Sequence, residues 1–123
     1  PDSAAASRFW LYLARSRAGE KDAAAALAPV STDWEIVENG EYHRLALCFK
    51  GDLDCAALLE EARAAPGVAG TTLLYGLAAH RLLEKDRATA GALMREIIAR
   101  DDWASFGHIA AESDVVEGRV KAK

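Results

Sequence analysis

Long apolar runs are absent from the sequence. No stretch approaches the roughly 18 apolar residues that span a bilayer, so we expect no transmembrane helix. Basic residues are not in excess either, since the formal net charge is −4, and this argues against general binding to nucleic-acid phosphates. The sequence therefore predicts neither a membrane span nor a nucleic-acid partner.

Signatures of catalysis and cofactor binding are also missing. The sequence contains no glycine-rich loop to cradle a phosphate, no nucleophile next to a base and no paired-carboxylate pattern. The adjacent Asp101 and Asp102 are typical of a helix start. We therefore expect a protein with no catalytic residues, no cofactor and no enzymatic activity of its own.

Three histidines are the candidates for a metal site. His80 and Glu84 are four residues apart on one predicted helix, which is the spacing of a metal-binding pair. No third ligand lies nearby in the sequence, so a solvent-facing charge pair explains them better. His43 and His108 are isolated. We predict no metal site.

Alanine is by far the commonest residue, and aromatic residues make up only 7%. Alanine is the best helix former and a poor strand former, so this composition favours closely packed helices over a sheet. A chain of 123 residues is long enough for one domain with its own core. The chain opens on Pro1 and not on a methionine, so we expect a mature or excised segment.

The chain repeats itself at a step of 32 residues. A large apolar residue is followed three and four positions later by an aliphatic residue and an alanine, which places all three on one helix face. The triplets are Trp10-Leu13-Ala14, Tyr42-Leu45-Ala46, Leu74-Leu77-Ala78 and Phe106-Ile109-Ala110. Repetition at this period is typical of stacked helical units.

The first helix of each of the three predicted units leads into a tight polar turn that ends in an aspartate. Asp22, Asp54 and Asp86 are predicted to cap the helices that follow. In the second helix of each unit, the residue expected where the paired helices approach is Ala26, Leu58 or Ala90. The core residue expected four positions later is Val30, Ala62 or Met94. Pro66-Gly67 interrupts the chain, and Thr71 or Thr72 is expected to cap the third unit.

These features predict a single all-α domain over residues 1–117, built from about seven helices in antiparallel pairs. The predicted units lie near residues 8–32, 40–65 and 71–100, with a final helix at 103–116 and a basic tail at 118–123. Trp10 is expected to be a core residue, and Trp34 and Trp103 are expected to fill gaps between units.

The triplets resemble the tetratricopeptide repeat (TPR) family. Its motif has a bulky, an aliphatic and a small residue in the first helix, and a small residue in the second. The positions that satisfy it in full are Trp10, Leu13, Ala14 and Ala26, and Leu74, Leu77, Ala78 and Ala90. The resemblance implies helix pairs stacked as a short superhelix, although the step is 32 residues here and about 34 in the family.

The layout is also similar to the repeat region of bacterial envelope lipoproteins of the new-lipoprotein-I type. Those proteins place an Asp-Trp connector before a divergent middle unit, as Asp33-Trp34 is placed here. That family acts as an adaptor that docks peptidases and cell-wall hydrolases. The resemblance implies a bacterial adaptor and leaves its compartment open between the cell envelope and the cytoplasm.

The TPR resemblance also implies which residues line a concave face. They are Arg8, Leu11, Arg15, His43, Leu47, Lys50, Thr72, Tyr75, Ala79 and Leu82. The set is apolar in the middle with basic groups on one side, which suits a peptide or protein partner with an acidic or carboxylate end. The alternative is an ordinary solvated helix face.

Two cysteines, Cys48 and Cys55, lie on either side of a predicted tight turn. One interpretation is two small buried residues, and the other is a disulfide that joins the two helices and requires an oxidising compartment. A disulfide predicts that their α-carbons lie within about 7 Å of each other.

We therefore predict a non-catalytic protein-interaction scaffold that binds its partner on the concave face. An alternative is a regulatory or substrate-positioning domain of a larger enzyme such as a peptidase. A third hypothesis is a helical enzyme, which would need a pocket that gathers a histidine and carboxylates.

Overall fold

The computed structural model describes residues 2–100, 110–111 and 113–115. Its elements are α1 (Asp2–Arg17), a short 3-10 helix (Ala23–Leu27), α2 (Gly40–Lys50), α3 (Cys55–Ala64), α4 (Gly67–Leu83) and α5 (Arg87–Ile98). Residues 110–111 and 113–115 are helical as well. The described residues contain no β-strand, which confirms the all-α prediction. None of the helices in these ranges combines the length and apolarity needed to cross a bilayer.

Some predicted features lie outside the described residues. They are the Asp101-Asp102 helix start, Trp103, Phe106 and Ile109 of the fourth triplet, His108, most of the final helix predicted at 103–116, and the tail at 118–123.

The chain divides into two compact units, residues 1–58 and 59–123, where the sequence predicted one domain. In the first unit, α1 packs against the 3-10 helix and α2, and α2 also contacts the 3-10 helix. In the second unit, α4 packs along α5. The boundary falls inside α3, after Leu58.

The first helix of each predicted repeat ends in the same kind of turn. α1, α2 and α4 are followed by a residue in the left-handed conformation, namely Gly19, Gly51 and Lys85, with φ of 79°, 94° and 65°. The next amide donates back to the carbonyl five positions earlier, at 2.9 to 3.0 Å, in the pairs Glu20–Arg15, Asp52–Leu47 and Asp86–Arg81. This geometry satisfies carbonyls that the helix end would otherwise leave unpaired. The repeated pattern thus has a repeated backbone structure.

Two of the three predicted aspartate caps form. Asp54 Oδ1 accepts hydrogen bonds from the amides two and three positions later at 2.9 and 3.5 Å. Asp86 Oδ1 accepts one from the amide of Thr89 at 3.1 Å. Asp22 makes no such side-chain bond, and the segment after it is only a five-residue 3-10 helix. The cap predicted for Asp22 is therefore wrong.

The break between the second and third predicted units is confirmed, but its cap is not. α3 ends at Ala64 and α4 begins at Gly67, on either side of Pro66. Thr71 therefore lies inside α4, fully buried, so neither it nor Thr72 caps the helix. Because proline lacks an amide hydrogen and has a fixed φ, a helix readily starts just after it.

The predicted packing positions of the second helices form the interior. All six are at most 2% exposed: Ala26, Leu58 and Ala90, and Val30, Ala62 and Met94. Shared burial at these two repeated positions is the outcome that helix pairing predicts.

The face that α1 buries differs from the predicted one. Phe9 is fully buried, Trp10 is only partly buried, and Ala14 is exposed. The Phe9 ring lies 5.0, 5.2 and 5.8 Å, centroid to centroid, from the rings of Trp10, Tyr42 and Phe49. Phe9 thus takes the position that the repeat assigned to Trp10, and the helix is turned by about one residue, or roughly 100°.

Replacing each of two alanines by leucine tests this rotation of α1. Ala14→Leu should change the free energy of unfolding by less than about 0.5 kcal/mol, because the site is at the surface. Ala46→Leu should destabilise the protein by about 1–3 kcal/mol, because Ala46 is fully buried in the same unit. Urea titration followed by tryptophan fluorescence gives both values. Equal losses would restore the predicted orientation of α1.

Candidate functional site

The residues predicted to line a concave face differ sharply in burial. His43, Leu47, Tyr75 and Ala79 are buried. The partly exposed ones are Arg8, Leu11, Arg15, Thr72 and Leu82, and Lys50 is exposed. Buried side chains cannot meet a partner unless the fold opens, so the first four do not belong to a binding surface.

His43 holds the connector between the 3-10 helix and α2. Its Nε2 lies 2.7 Å from the carbonyl oxygen of Ser31 and therefore donates, because a carbonyl only accepts. Its ring stacks on Trp34, with centroids 6.2 Å apart. Trp34 in turn packs on a buried cluster that includes Leu47. The prediction that His43 and Leu47 face a partner is wrong, because both pack inside the first unit.

Lys50 also serves the first unit internally. Its Nζ donates a hydrogen bond of 2.7 Å to the carbonyl oxygen of Val30 and lies 3.5 Å from Asp52 Oδ2. The ammonium group thereby ties the end of α2 to the connector after the 3-10 helix. This engagement removes Lys50 as a free cation for a partner.

Tyr75 is the clearest correction. It is 2% exposed, and its hydroxyl donates a 3.0 Å hydrogen bond to Asp114 Oδ2, itself 1% exposed. The expectation that Tyr75 faces solvent is wrong, because the phenol finds a buried carboxylate 39 residues further along the chain. Sequence reasoning missed Asp114, because no local pattern marks a carboxylate that pairs with a residue 39 positions earlier.

His80 and Glu84 contact each other as predicted, with Nδ1 3.7 Å from Oε1. Burial lowers the pKa of His80, which outweighs the opposing effect of the Glu84 charge, while Arg81 lowers it further. The contact is an ion pair only when His80 is protonated, and the lowered pKa moves that protonation to a lower pH. Because the pKa is lowered in the folded state, the contribution of His80 to stability is present above its ordinary pKa and is lost as the pH falls. Within the described ranges no three or more His, Cys, Asp or Glu side chains could together hold a metal ion.

The cysteines form a disulfide. Cys48 and Cys55 are bonded, with α-carbons 5.2 Å apart, inside the 7 Å limit. The bond joins the last turn of α2 to the first residue of α3. Cys48 is also buried, at 4% exposure, so both interpretations of that residue hold together.

Three of the predicted residues remain on one open surface, which we call the α1 stripe: Arg8, Leu11 and Arg15. They are spaced by three and four residues, so they follow one face of the helix, and all are partly exposed. Within the described part of the chain neither arginine has a hydrogen-bond or ion-pair partner. The stripe thus offers an apolar side chain between two available guanidinium groups.

Charge is distributed unevenly around this stripe. α1 carries three arginines and one aspartate, whereas residues 18–58 carry three basic and eight acidic side chains. Arg15 and Arg17 lie in the last turn of α1, where cations interact favourably with the helix dipole. Arg8 lies in the middle of the helix and has no such reason for its charge. A local positive surface therefore stands on an otherwise acidic unit.

Comparison of the chain with protein-family models, with curated proteins and with solved structures gives no match. The resemblance to helical repeats therefore stays a prediction from the residues.

Proposed function

We propose that the protein is a non-catalytic interaction domain that binds an acidic peptide segment of a partner on the α1 stripe. The observation that carries the proposal is the pair of half-exposed arginines, which have no hydrogen-bond or ion-pair partner among the described residues, in a unit where acidic residues predominate. The proposal keeps the predicted scaffold function and restricts its surface to α1.

The spacing of the stripe defines the ligand. Arg8 and Arg15 are seven residues apart, so their α-carbons are separated by about 10.5 Å along the helix axis. An extended peptide advances about 3.3 Å per residue, so two carboxylates three residues apart match this distance. One of the two can be the terminal carboxylate. Each guanidinium can hold a carboxylate through two parallel hydrogen bonds, and Leu11 lies between them to contact an apolar side chain.

The helix pairs belong to the same proposal. A TPR-like superhelix is supported by the three recurring turns at Gly19, Gly51 and Lys85 and by the six buried positions of the second helices. Stacked helical repeats commonly display extended binding surfaces, and this agrees with a scaffold function.

An array of short peptides that vary in charge, each with a free or an amidated C-terminus, tests the proposal. Wild type should retain peptides with two suitably spaced carboxylates, and the signal should fall with added salt. Arg8→Glu and Arg15→Glu should each raise the dissociation constant about tenfold or more, since each removes a charge-assisted pair.

Arg17→Glu is the matched control. It makes the same charge change in the same last turn of α1 as Arg15→Glu. Arg17 is nine residues from Arg8, however, so it lies on the opposite side of the helix. This variant should bind like wild type. If wild type shows no preference for acidic peptides, or if all three variants bind alike, the α1 stripe is not the binding surface.

A further inference from the structure

We propose that Cys55 is a thiol–disulfide exchange site through which a dithiol reductant opens the Cys48–Cys55 bond and releases the start of α3 from α2. The two residues are joined by the disulfide but differ in exposure. Cys48 is 4% exposed, whereas Cys55 is partly exposed. An attacking thiolate must reach the sulfur that it bonds to, so it meets Cys55 first.

The helix on the Cys48 side has several other attachments. Leu45, Ala46 and Leu47 are buried next to Cys48, and the Lys50 ammonium donates to the carbonyl of Val30. α2 therefore keeps its place in the first unit when the disulfide opens.

The helix on the Cys55 side has few attachments within the first unit. Asp54, Ala56 and Ala57 are exposed, and Leu58 is the only buried residue of α3 up to the unit boundary. The cap made by Asp54 is local to α3 and does not bind it to α2. The disulfide is thus the main link between the start of α3 and the end of α2.

The exchange proceeds in two steps that balance. A thiolate of the dithiol attacks Cys55 Sγ, a mixed disulfide forms, and the Cys48 sulfur leaves as a thiolate that takes up a proton. The second thiol of the reductant then attacks the reductant's first sulfur, which is bonded to Cys55 in the mixed disulfide. This attack expels the Cys55 thiolate, which is protonated in turn. The dithiol loses two electrons and two protons to become a cyclic disulfide, and the protein gains two thiols.

The site of attack is tested with the oxidised protein and a monothiol, 2-mercaptoethanol, at low concentration and short reaction times, so that the first mixed disulfide is trapped before a second molecule displaces it. Rapid acid quenching, alkylation of the free thiol and peptide mapping locate the adduct. We expect it on Cys55 in about tenfold excess over Cys48, in line with the difference in access. An adduct that favours Cys48, or divides equally, overturns the proposal.

The release of the start of α3 is tested by amide hydrogen exchange on the oxidised and the dithiol-reduced protein. Exchange at the amides of residues 56–58 should rise about tenfold on reduction, while residues 43–50 should stay within about twofold. The Cys48→Ser/Cys55→Ser double variant should reproduce the reduced pattern without reagent. Unchanged exchange at residues 56–58, or an equal rise in residues 43–50, contradicts the proposed release.

Discussion

Replacing Phe9 by alanine is expected to lower the free energy of unfolding by about 3–5 kcal/mol. Phe9 is 0% exposed and lies at the centre of the aromatic cluster of the first unit. Its ring contacts the rings of Trp10, Tyr42 and Phe49, so α1 and α2 are joined through it. Truncation removes these contacts and leaves a cavity that the rigid neighbouring rings fill only in part.

The measurement is urea denaturation followed by fluorescence, because Trp10 and Trp34 both belong to the first unit. Ser7→Ala is the control on the same helix, since Ser7 is exposed and alanine is the better helix former. This control should leave the midpoint unchanged or raise it slightly. A loss below about 1 kcal/mol in Phe9→Ala would place the centre of the unit elsewhere.

The Phe9 result bears on what the sequence could predict. The 32-residue step identified the buried Leu13 and Leu45 and the buried residues of the second helices. It misassigned the face of α1 because Phe9 and Trp10 are adjacent large aromatics, and periodicity alone does not decide which of two neighbours faces inward. The packing of three further rings around Phe9 decides it.

The length of α4 shows a second limit of the repeat. The sequence echo aligns Gly19 with Leu83, yet the left-handed residue after α4 is Lys85. A glycine stops a helix because it adopts positive φ without strain, and none stands at position 83. The helix therefore continues to Leu83, and a lysine accepts the unfavourable conformation. The sequence still predicted correctly that Asp86 caps the helix that follows.

The candidate site was predicted less well than the fold. Exposure of Tyr75 was inferred from its repeat position, but its burial depends on Asp114, a carboxylate that looks solvated in the sequence. The Cys48–Cys55 spacing fitted both a packing role and a disulfide, and the structure shows the disulfide together with a buried Cys48. Long-range pairing of polar groups is the part that local pattern does not contain.

The start of α4 passes unusually close to the end of α3. Gly70 is buried, and a methyl group in place of its hydrogen would collide with the carbonyl oxygens of Ala65 and Ala62, the latter at 2.9 Å, and with the Arg100 guanidinium. The guanidinium is fixed there, because its Nη2 donates to the carbonyl of Ala65 at 2.6 Å and to that of Gly67 at 3.2 Å. Two of the three colliding groups are backbone atoms, which cannot rotate away.

Gly70→Ala is therefore expected to destabilise the protein by about 3 kcal/mol, although alanine is intrinsically the better helix former by about 1 kcal/mol. Thermal unfolding followed by far-ultraviolet circular dichroism measures the change. Gly40→Ala is the matched control, because Gly40 also lies in a helix, has ordinary φ and has no neighbouring atom within 4 Å of the place that an added methyl group would take. That variant should be neutral or more stable by up to about 1 kcal/mol. If Gly70→Ala is as stable as Gly40→Ala, α4 does not approach α3 closely enough to require glycine, and Arg100 does not hold the end of α3 through these two carbonyls.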